Sequence, residues 1–340
     1  MTEKAEHPRL EIDRRTFRTG QVMATESIHL TGGMQAVQVD GSWSMRPMSA
    51  ANRLVASQPI SRAEVIRFAA RAILEIIGSD QVSGIGGPLP TRIWNPLYGP
   101  TLNGLPPAAA WGAIAISASR SSDERMSHIA RKLAVTLNAT SFRIRDASDC
   151  YHAQLVAALI DSRRPGTRFK NVPLMDLYLA IHSLLSEMAS TRDYLAELAG
   201  YQLGAPHKID ALNRFEEWIS AASRIDKATN PLAMRLLGSR NAGSVNRWLA
   251  DLTDYRNEFL HRTPLGATRS GNSLVVAERH VDENSIRIIQ LPITDLSADG
   301  APGDALSILV RLHEKLLDLA GFAAERTGYS TAPPEFVVRP

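Results

Sequence analysis

The amino-acid sequence predicts a mainly α protein, in which residues 149–328 form a C-terminal up-and-down helical bundle with a small β-hairpin insertion. Two observations support this fold class. From residue 149 onward, apolar residues recur at helical spacing in several long segments, and amphipathic helices must pack on one another to bury their apolar faces. Residues 1–148 instead show short apolar runs beside a helical pattern, which predicts a mixed α/β region. Residues 329–340 would form a tail.

Length and composition limit the class of protein. A chain of 340 residues with 44% hydrophobic and 21% charged residues is typical of a folded protein of about two domains. Cys150 is the single cysteine, which excludes an internal disulfide and a cysteine-based zinc site. The uncharged run 93–119 contains prolines that a membrane-spanning helix does not tolerate, so it is interpreted as a loop followed by a buried strand. With no apolar secretory signal in the first residues, we expect a cytoplasmic protein without a membrane partner.

Local signals predict the elements of the N-terminal region, whose function the sequence leaves open. Ser61 and Glu64 have the spacing of a capping box, so a helix is expected to begin at Ser61 and to end near Gly78. A second helix is predicted at 122–138, and strands are predicted at 27–30, 36–39, 111–117 and 140–145.

Proline and glycine mark helix ends in the C-terminal region. Pro165 and Gly166 end its first helix, and Pro264 and Gly266 prevent its fourth helix from continuing. Helices are predicted at 150–162, 174–200, 208–225, 244–262 and 305–327, and the two strands of the hairpin at 274–277 and 286–291.

The fourth of these helices carries the sequence Arg256-Asn257-Glu258-Phe259-Leu260-His261. Asn257 and His261 are four residues apart and share a helix face. Arg256 lies about 140° from His261 around the axis of an α-helix, but its long side chain can reach the same ligand.

Arg256 also falls on the apolar stripe of this helix, where a guanidinium group needs a counter-charge. Glu187 or Asp193 on the long helix 174–200 is a candidate partner, and so is a bound phosphate. The alternative interpretation is structural, with Arg256 in a core ion pair and His261 exposed at the end of the helix.

This motif resembles that of the HEPN superfamily, whose nucleases carry an Arg, a polar residue that is often Asn, a few variable residues and a His on one helix of a bundle. The resemblance extends over about 180 residues. It implies a metal-independent endoribonuclease without a cofactor, with Arg256 and His261 as catalytic residues and Asn257 as a positioning group. It also implies a homodimer that joins two motifs in one cleft, an RNA substrate, and a role as a toxin or antiviral defence effector under an antitoxin or regulatory protein. Thr263 departs from the Tyr of several such toxins, which puts that branch in doubt.

The residues suit this chemistry. Attack by a 2′-OH group on the adjacent phosphate needs a proton shuttle and a positive group, but no metal. A histidine titrates near neutrality and can move the proton, and an arginine can stabilise the charge that builds up on the phosphate. His261 lies near the predicted C-terminus of its helix, where the helix dipole favours the imidazolium form.

A basic run precedes the motif, because residues 227–250 contain no acidic residue. Its cations are expected to bind the RNA backbone, although a solvated helix face gives the same pattern. They are Lys227, Arg235, Arg240 and Arg247. Two other functions remain open: a non-catalytic RNA-binding or protein-interaction bundle, and an unrelated enzyme whose site lies in the N-terminal region. Glu258 and His261 also fit the Glu-x-x-His pattern of di-iron bundles, but no second copy occurs, so no metal is expected.

Overall fold

The computed structural model describes residues 25–39, 41–50, 53–83, 91–221, 229–241, 246–267, 272–281, 284–298 and 300–333. Of these residues, 53% are helical and 21% lie in strands, and an antiparallel five-stranded sheet occupies the N-terminal half. The protein is therefore a mixed α/β protein, and the predicted class, mainly α with a C-terminal helical bundle, is wrong. Two strands of this sheet match the strands predicted at 27–30 and 36–39, whereas the sequence analysis did not predict its other three strands.

The helices and strands have the following bounds in chain order. The N-terminal half contains β1 (Thr25–Leu30), β2 (Gln35–Val39), β3 (Ser42–Arg46), β4 (Met48–Ala50), β5 (Arg53–Val55), α1 (Arg62–Arg71), β6 (Ile76–Ser83), β7 (Thr91–Pro96) and α2 (Pro107–Arg120). Then follow α3 (Glu124–Ile160), β8 (Arg168–Phe169), α4 (Leu174–Gln202), α5 (Leu212–Ile219), α6 (Pro231–Arg240), α7 (Trp248–Asn257), β9 (Leu274–Val281), β10 (Asn284–Gln290), β11 (Pro292–Thr294), β12 (Pro302–Asp304) and α8 (Ala305–Ala324).

The five-stranded sheet has the order β3-β2-β1-β6-β7. Helix α1 packs against β3, and α3 packs against β6 and β7. The capping box of α1 is confirmed, because Glu64 N donates to Ser61 Oγ (3.3 Å) and Ser61 N donates to Glu64 Oε2 (2.7 Å). This helix ends at Arg71 rather than near Gly78, which lies in β6, where a Cβ atom would come within 2.4 Å of the Trp94 ring.

Helix α2 corrects the prediction of a strand at 111–117. Pro107 stands in the first turn, where its missing N–H group costs nothing, and alanines follow it. Trp111 is fully buried, and its Nε1 donates to the Ala320 carbonyl of α8 (3.1 Å). Because α2 is buried on most sides, its sequence shows little contrast between an apolar and a polar face, and such a run cannot be told from a strand by periodicity.

Helix α3 corrects two further predictions. It continues for 37 residues from its N-cap Asp123, whose side chain accepts from Met126 N. The predicted strand at 140–145 lies inside it, and Thr140 Oγ1 donates to the carbonyl of Leu137 (2.9 Å), as a residue in a helix does. The predicted domain boundary at 148/149 also falls within α3, so a cut there would divide one helix.

The structure of the C-terminal half agrees better with the elements that the sequence predicted. Helix α4 and the antiparallel pair β9–β10 are confirmed, and β8 pairs with β9 at the other edge. The third predicted helix, 208–225, corresponds to the shorter helix α5. The fourth, 244–262, corresponds to α7 followed by a π-helical turn at 258–262. Buried side chains from both halves form a single apolar core, in which α4 packs against α3 and α7. The packing of α4 on α7 sets the position of the motif.

Candidate active site

The motif lies where the helical geometry changes. Helix α7 ends at Asn257, and Glu258–Arg262 forms a π-helical turn in which Thr263 N donates to the Glu258 carbonyl (2.7 Å). A π-turn contains more residues than an α-turn, and such insertions are frequent at functional sites. Arg256 and Asn257 therefore lie in the α-helix, whereas His261 lies in the π-helical turn.

Arg256, Asn257 and His261 form the exposed end of this helix. Arg256 and Asn257 are half-buried, and Arg256 Nη1 lies 3.4 Å from Asn257 Oδ1, which accepts from it. His261 is exposed. None of the ion pairs between described residues involves Arg256, so its guanidinium group has no carboxylate partner in that part of the chain.

The buried arginine beside the motif is Arg192 of α4, not Arg256. Arg192 is 8% exposed, and its Nη1 donates to Thr253 Oγ1 of α7 (2.7 Å). Its Nε and Nη2 donate to Asp193 Oδ1 (3.0 and 2.9 Å), which also accepts from Leu212 N (3.2 Å). The expectation that Asp193 supports Arg256 is therefore wrong, because this carboxylate neutralises Arg192.

Glu187, the other predicted supporting residue, is half-buried on α4. Its carbonyl accepts from Thr191 Oγ1, and its carboxylate makes no hydrogen bond or ion pair with a described residue. The structure thus does not bring Glu187 into contact with the motif.

Both ends of the motif segment are fixed by neighbouring elements. The Tyr255 hydroxyl donates to the Thr294 carbonyl and accepts from Leu296 N (2.9 Å each). Beyond the π-turn, Leu265 N donates to His182 Nε2 of α4 (3.3 Å), and burial lowers the pKa of His182, which favours the neutral acceptor. These contacts join residues that are far apart in sequence, so they were not expected from it.

The basic run is not a free cationic surface. Arg235 lies over the Phe322 ring (3.8 Å to its centroid), and Arg240 Nε lies 3.4 Å from Glu216 Oε1. Arg247 donates through Nε to Asp251 and through Nη2 to Asp254 (2.8 Å each). Lys227 lies outside the described residues. Two of these arginines, Arg240 and Arg247, therefore have acidic partners that lie outside the window 227–250. RNA binding by this run stays a prediction.

A polar cavity of about 420 Å³ lies beside the motif helix. It is an open groove between α5, α6 and α7, and it is lined by Glu216, Leu237, Arg240, Asn241, Arg247, Ala250 and Asp254. The residues that α7 contributes continue to the start of the motif at helical spacing, since positions 250, 254 and 257 share one face. That spacing was visible in the sequence, but the pairing of α7 with Glu216 was not.

A second polar cluster joins the sheet to α3. His29 is almost fully buried, and its Nδ1 lies 3.1 Å from Ser148 Oγ. Arg92 Nη1 donates to Asp149 of α3 (2.9 Å), and Arg92 also pairs with the buried Asp80 of β6. Burial lowers the pKa of His29 to about 3, so this histidine is neutral at pH 7. The cluster therefore joins strands of the five-stranded sheet to α3.

The described residues contain no group of three or more His, Cys, Asp or Glu side chains that could hold a metal ion. No helix among them is long and apolar enough to cross a membrane.

No protein-family model, no curated protein and no solved structure matches this chain. The resemblance to the HEPN motif therefore rests on the sequence of residues 256–261 alone.

Proposed function

We propose that this chain is a metal-independent endoribonuclease of the HEPN type that acts through Arg256, Asn257 and His261. The observation that carries the proposal is a guanidinium group without a carboxylate partner among the described residues, held against Asn257 at an α/π junction beside an exposed histidine. A cation without a counter-charge suits an anionic ligand, and the planar guanidinium group matches the oxygens of a phosphate.

In this mechanism the ribose 2′-oxygen attacks the adjacent phosphorus atom and the bond from phosphorus to the 5′-oxygen breaks. One imidazole removes the proton of the 2′-OH group, and an imidazolium protonates the leaving 5′-oxygen. Arg256 stabilises the additional negative charge on the phosphate oxygens, and Asn257 orients Arg256 through their contact. The products are a 2′,3′-cyclic phosphate and a 5′-OH end.

One chain contributes one His261, whereas the reaction uses a base and an acid, so we propose a homodimer with a composite site. An isologous interface would bring a second Arg256 and His261 into the cleft. Exposed apolar side chains at the start of α4 support this, with Val172 91%, Met175 53% and Leu179 57% exposed. They lie on the helix whose His182 contacts the segment after the motif.

The dimer is tested by Leu179→Glu, with Ile66→Glu on α1 as the control, because Ile66 is similarly exposed (52%) on the N-terminal half. Sedimentation and RNA cleavage are measured at the same concentrations of full-length chain. We expect Leu179→Glu to be monomeric and inactive and Ile66→Glu to behave as the wild type. A Leu179→Glu variant that stays dimeric and active would refute this interface.

The reaction itself is tested by incubating full-length protein with end-labelled RNA in EDTA. We expect fragments with 2′,3′-cyclic phosphate ends. Activity that disappears in EDTA and returns with manganese would refute the mechanism. RNA binding without cleavage would favour a non-catalytic RNA-binding protein instead.

The role that we propose is that of a defence or toxin effector acting on RNA in the cytoplasm, under the control of an antitoxin or another regulatory protein. Free Cys150 is compatible with that reducing compartment.

A further inference from the structure

We propose that the cavity between α5, α6 and α7 is a subsite for a guanine base of single-stranded RNA, with Glu216 as the group that recognises the base. The role of this subsite in cleavage rests on the proposed function, whereas its binding of guanine does not.

The position of the cavity suits a base next to the scissile phosphate. Ala250 and Asp254 line it from α7 and Arg247 from the N-cap of that helix, and the same helix face continues to Asn257 of the motif. From Asp254 to Asn257 the rise is about 5 Å at the α-helical value, a distance that a single nucleotide can bridge. A base in the cavity and a phosphate at the motif can therefore belong to one strand.

The charge of the cavity favours a base over a phosphate. Arg240 and Arg247 are opposed by Glu216 and Asp254, to which they are paired at 3.4 and 2.8 Å. The two carboxylates would repel a phosphate, but they accept hydrogen bonds from a neutral base. Leu237 and Ala250 add apolar lining against which a ring can pack.

Guanine matches these groups better than the other bases do. It alone presents adjacent N1–H and N2–H donors, which a carboxylate can accept together, and its O6 and N7 atoms are the preferred acceptors of an arginine. Glu216 is half-buried, and its pair with Arg240 is long, so a guanine base can displace that contact. Glu216 accepts from the Watson–Crick edge, and Arg240 or Arg247 donates to the opposite edge.

The test measures binding of the four nucleoside 3′-monophosphates to full-length protein by calorimetry. All four carry the same phosphate, so differences report the base. We expect the guanosine nucleotide to bind at least about tenfold more tightly than the others, as a bidentate pair predicts. Glu216→Gln should remove this preference, and Glu217→Gln, an exposed glutamate of the same helix, should keep it. Equal affinities for the four nucleotides, or a preference that survives Glu216→Gln, would overturn the proposal.

Two further measurements complete the test. If Glu216→Gln does not fold, Asp254→Asn at the exposed edge of the cavity replaces it, with a weakened guanine preference expected and an unchanged one contradicting the proposal. The wild type is also given RNA of random sequence. Cleavage without enrichment of guanine near the cut refutes the subsite alone. Guanine binding without any cleavage supports the subsite and refutes the proposed nuclease.

Discussion

Replacing Arg192 with methionine tests which arginine holds the motif helix in place. The side chain is 8% exposed and joins α4 to α7 through Thr253 and Asp193. Methionine keeps much of the volume but leaves the Asp193 carboxylate without its cation.

Removing one partner of a buried ion pair costs about 3–5 kcal/mol. Asp193 keeps its bond from Leu212 N and is partly exposed, so the lower end applies, about 3 kcal/mol. In a chain of this size, that loss lowers the melting temperature by roughly 4 °C.

The assay is thermal and urea denaturation of full-length variants. Arg214→Met is the matched control, because its pair with Asp210 is exposed and contributes less than about 1 kcal/mol. Arg256→Met should also cost less than about 1 kcal/mol, since Arg256 has no described carboxylate partner. An Arg192→Met variant that melts within about 1 °C of the wild type, or an Arg256→Met variant that is the less stable of the two, would refute this reasoning.

Two other predictions concern stability. Burial lowers the pKa of both His29 and His313 to about 3, so the folded state binds fewer protons, and stability that is complete above pH 6.5 falls as the pH decreases. Between pH 7 and pH 5 the free energy of unfolding falls by about 2 kcal/mol for each histidine. A urea midpoint that does not change over this pH range contradicts the prediction. Gly266→Ala should cost about 2 kcal/mol more than Gly166→Ala, because both glycines have positive φ but only at Gly266 would a Cβ atom clash, 2.7 Å from Tyr178. Equal urea midpoints for these two variants would contradict the prediction, because the clash with Tyr178 would then cost no stability.

Part of the fold could be predicted because local chemistry determined it. The capping box at Ser61 and the long amphipathic helix α4 depend on residues that are close in sequence. Helix α2 could not be recognised, because Trp111 is buried against α8 and its neighbours are apolar on most sides. The continuity of α3 was missed because Thr140 disfavours a helix slightly, and the packing around it outweighs that preference.

The three motif residues come from the sequence, whereas their surroundings come from the structure. The sequence shows the spacing of Arg256, Asn257 and His261. It does not show the burial of Arg192, because that depends on Thr253, 61 residues away in sequence. The pairing of Arg240 with Glu216 likewise joins separate helices, so this arginine of the basic run has an acidic partner that the run itself does not contain.

The rate of RNA cleavage by His261→Ala and Arg256→Ala, measured in EDTA beside the wild type, tests the central claim most directly. Both side chains lie at the exposed end of the motif helix, so both variants should keep the wild-type melting temperature within a few degrees. We expect each rate to fall by at least about 100-fold, because each residue acts in the transition state. His207→Ala, which removes another exposed histidine, should leave the rate unchanged. Wild-type cleavage rates in folded His261→Ala or Arg256→Ala protein would contradict the account.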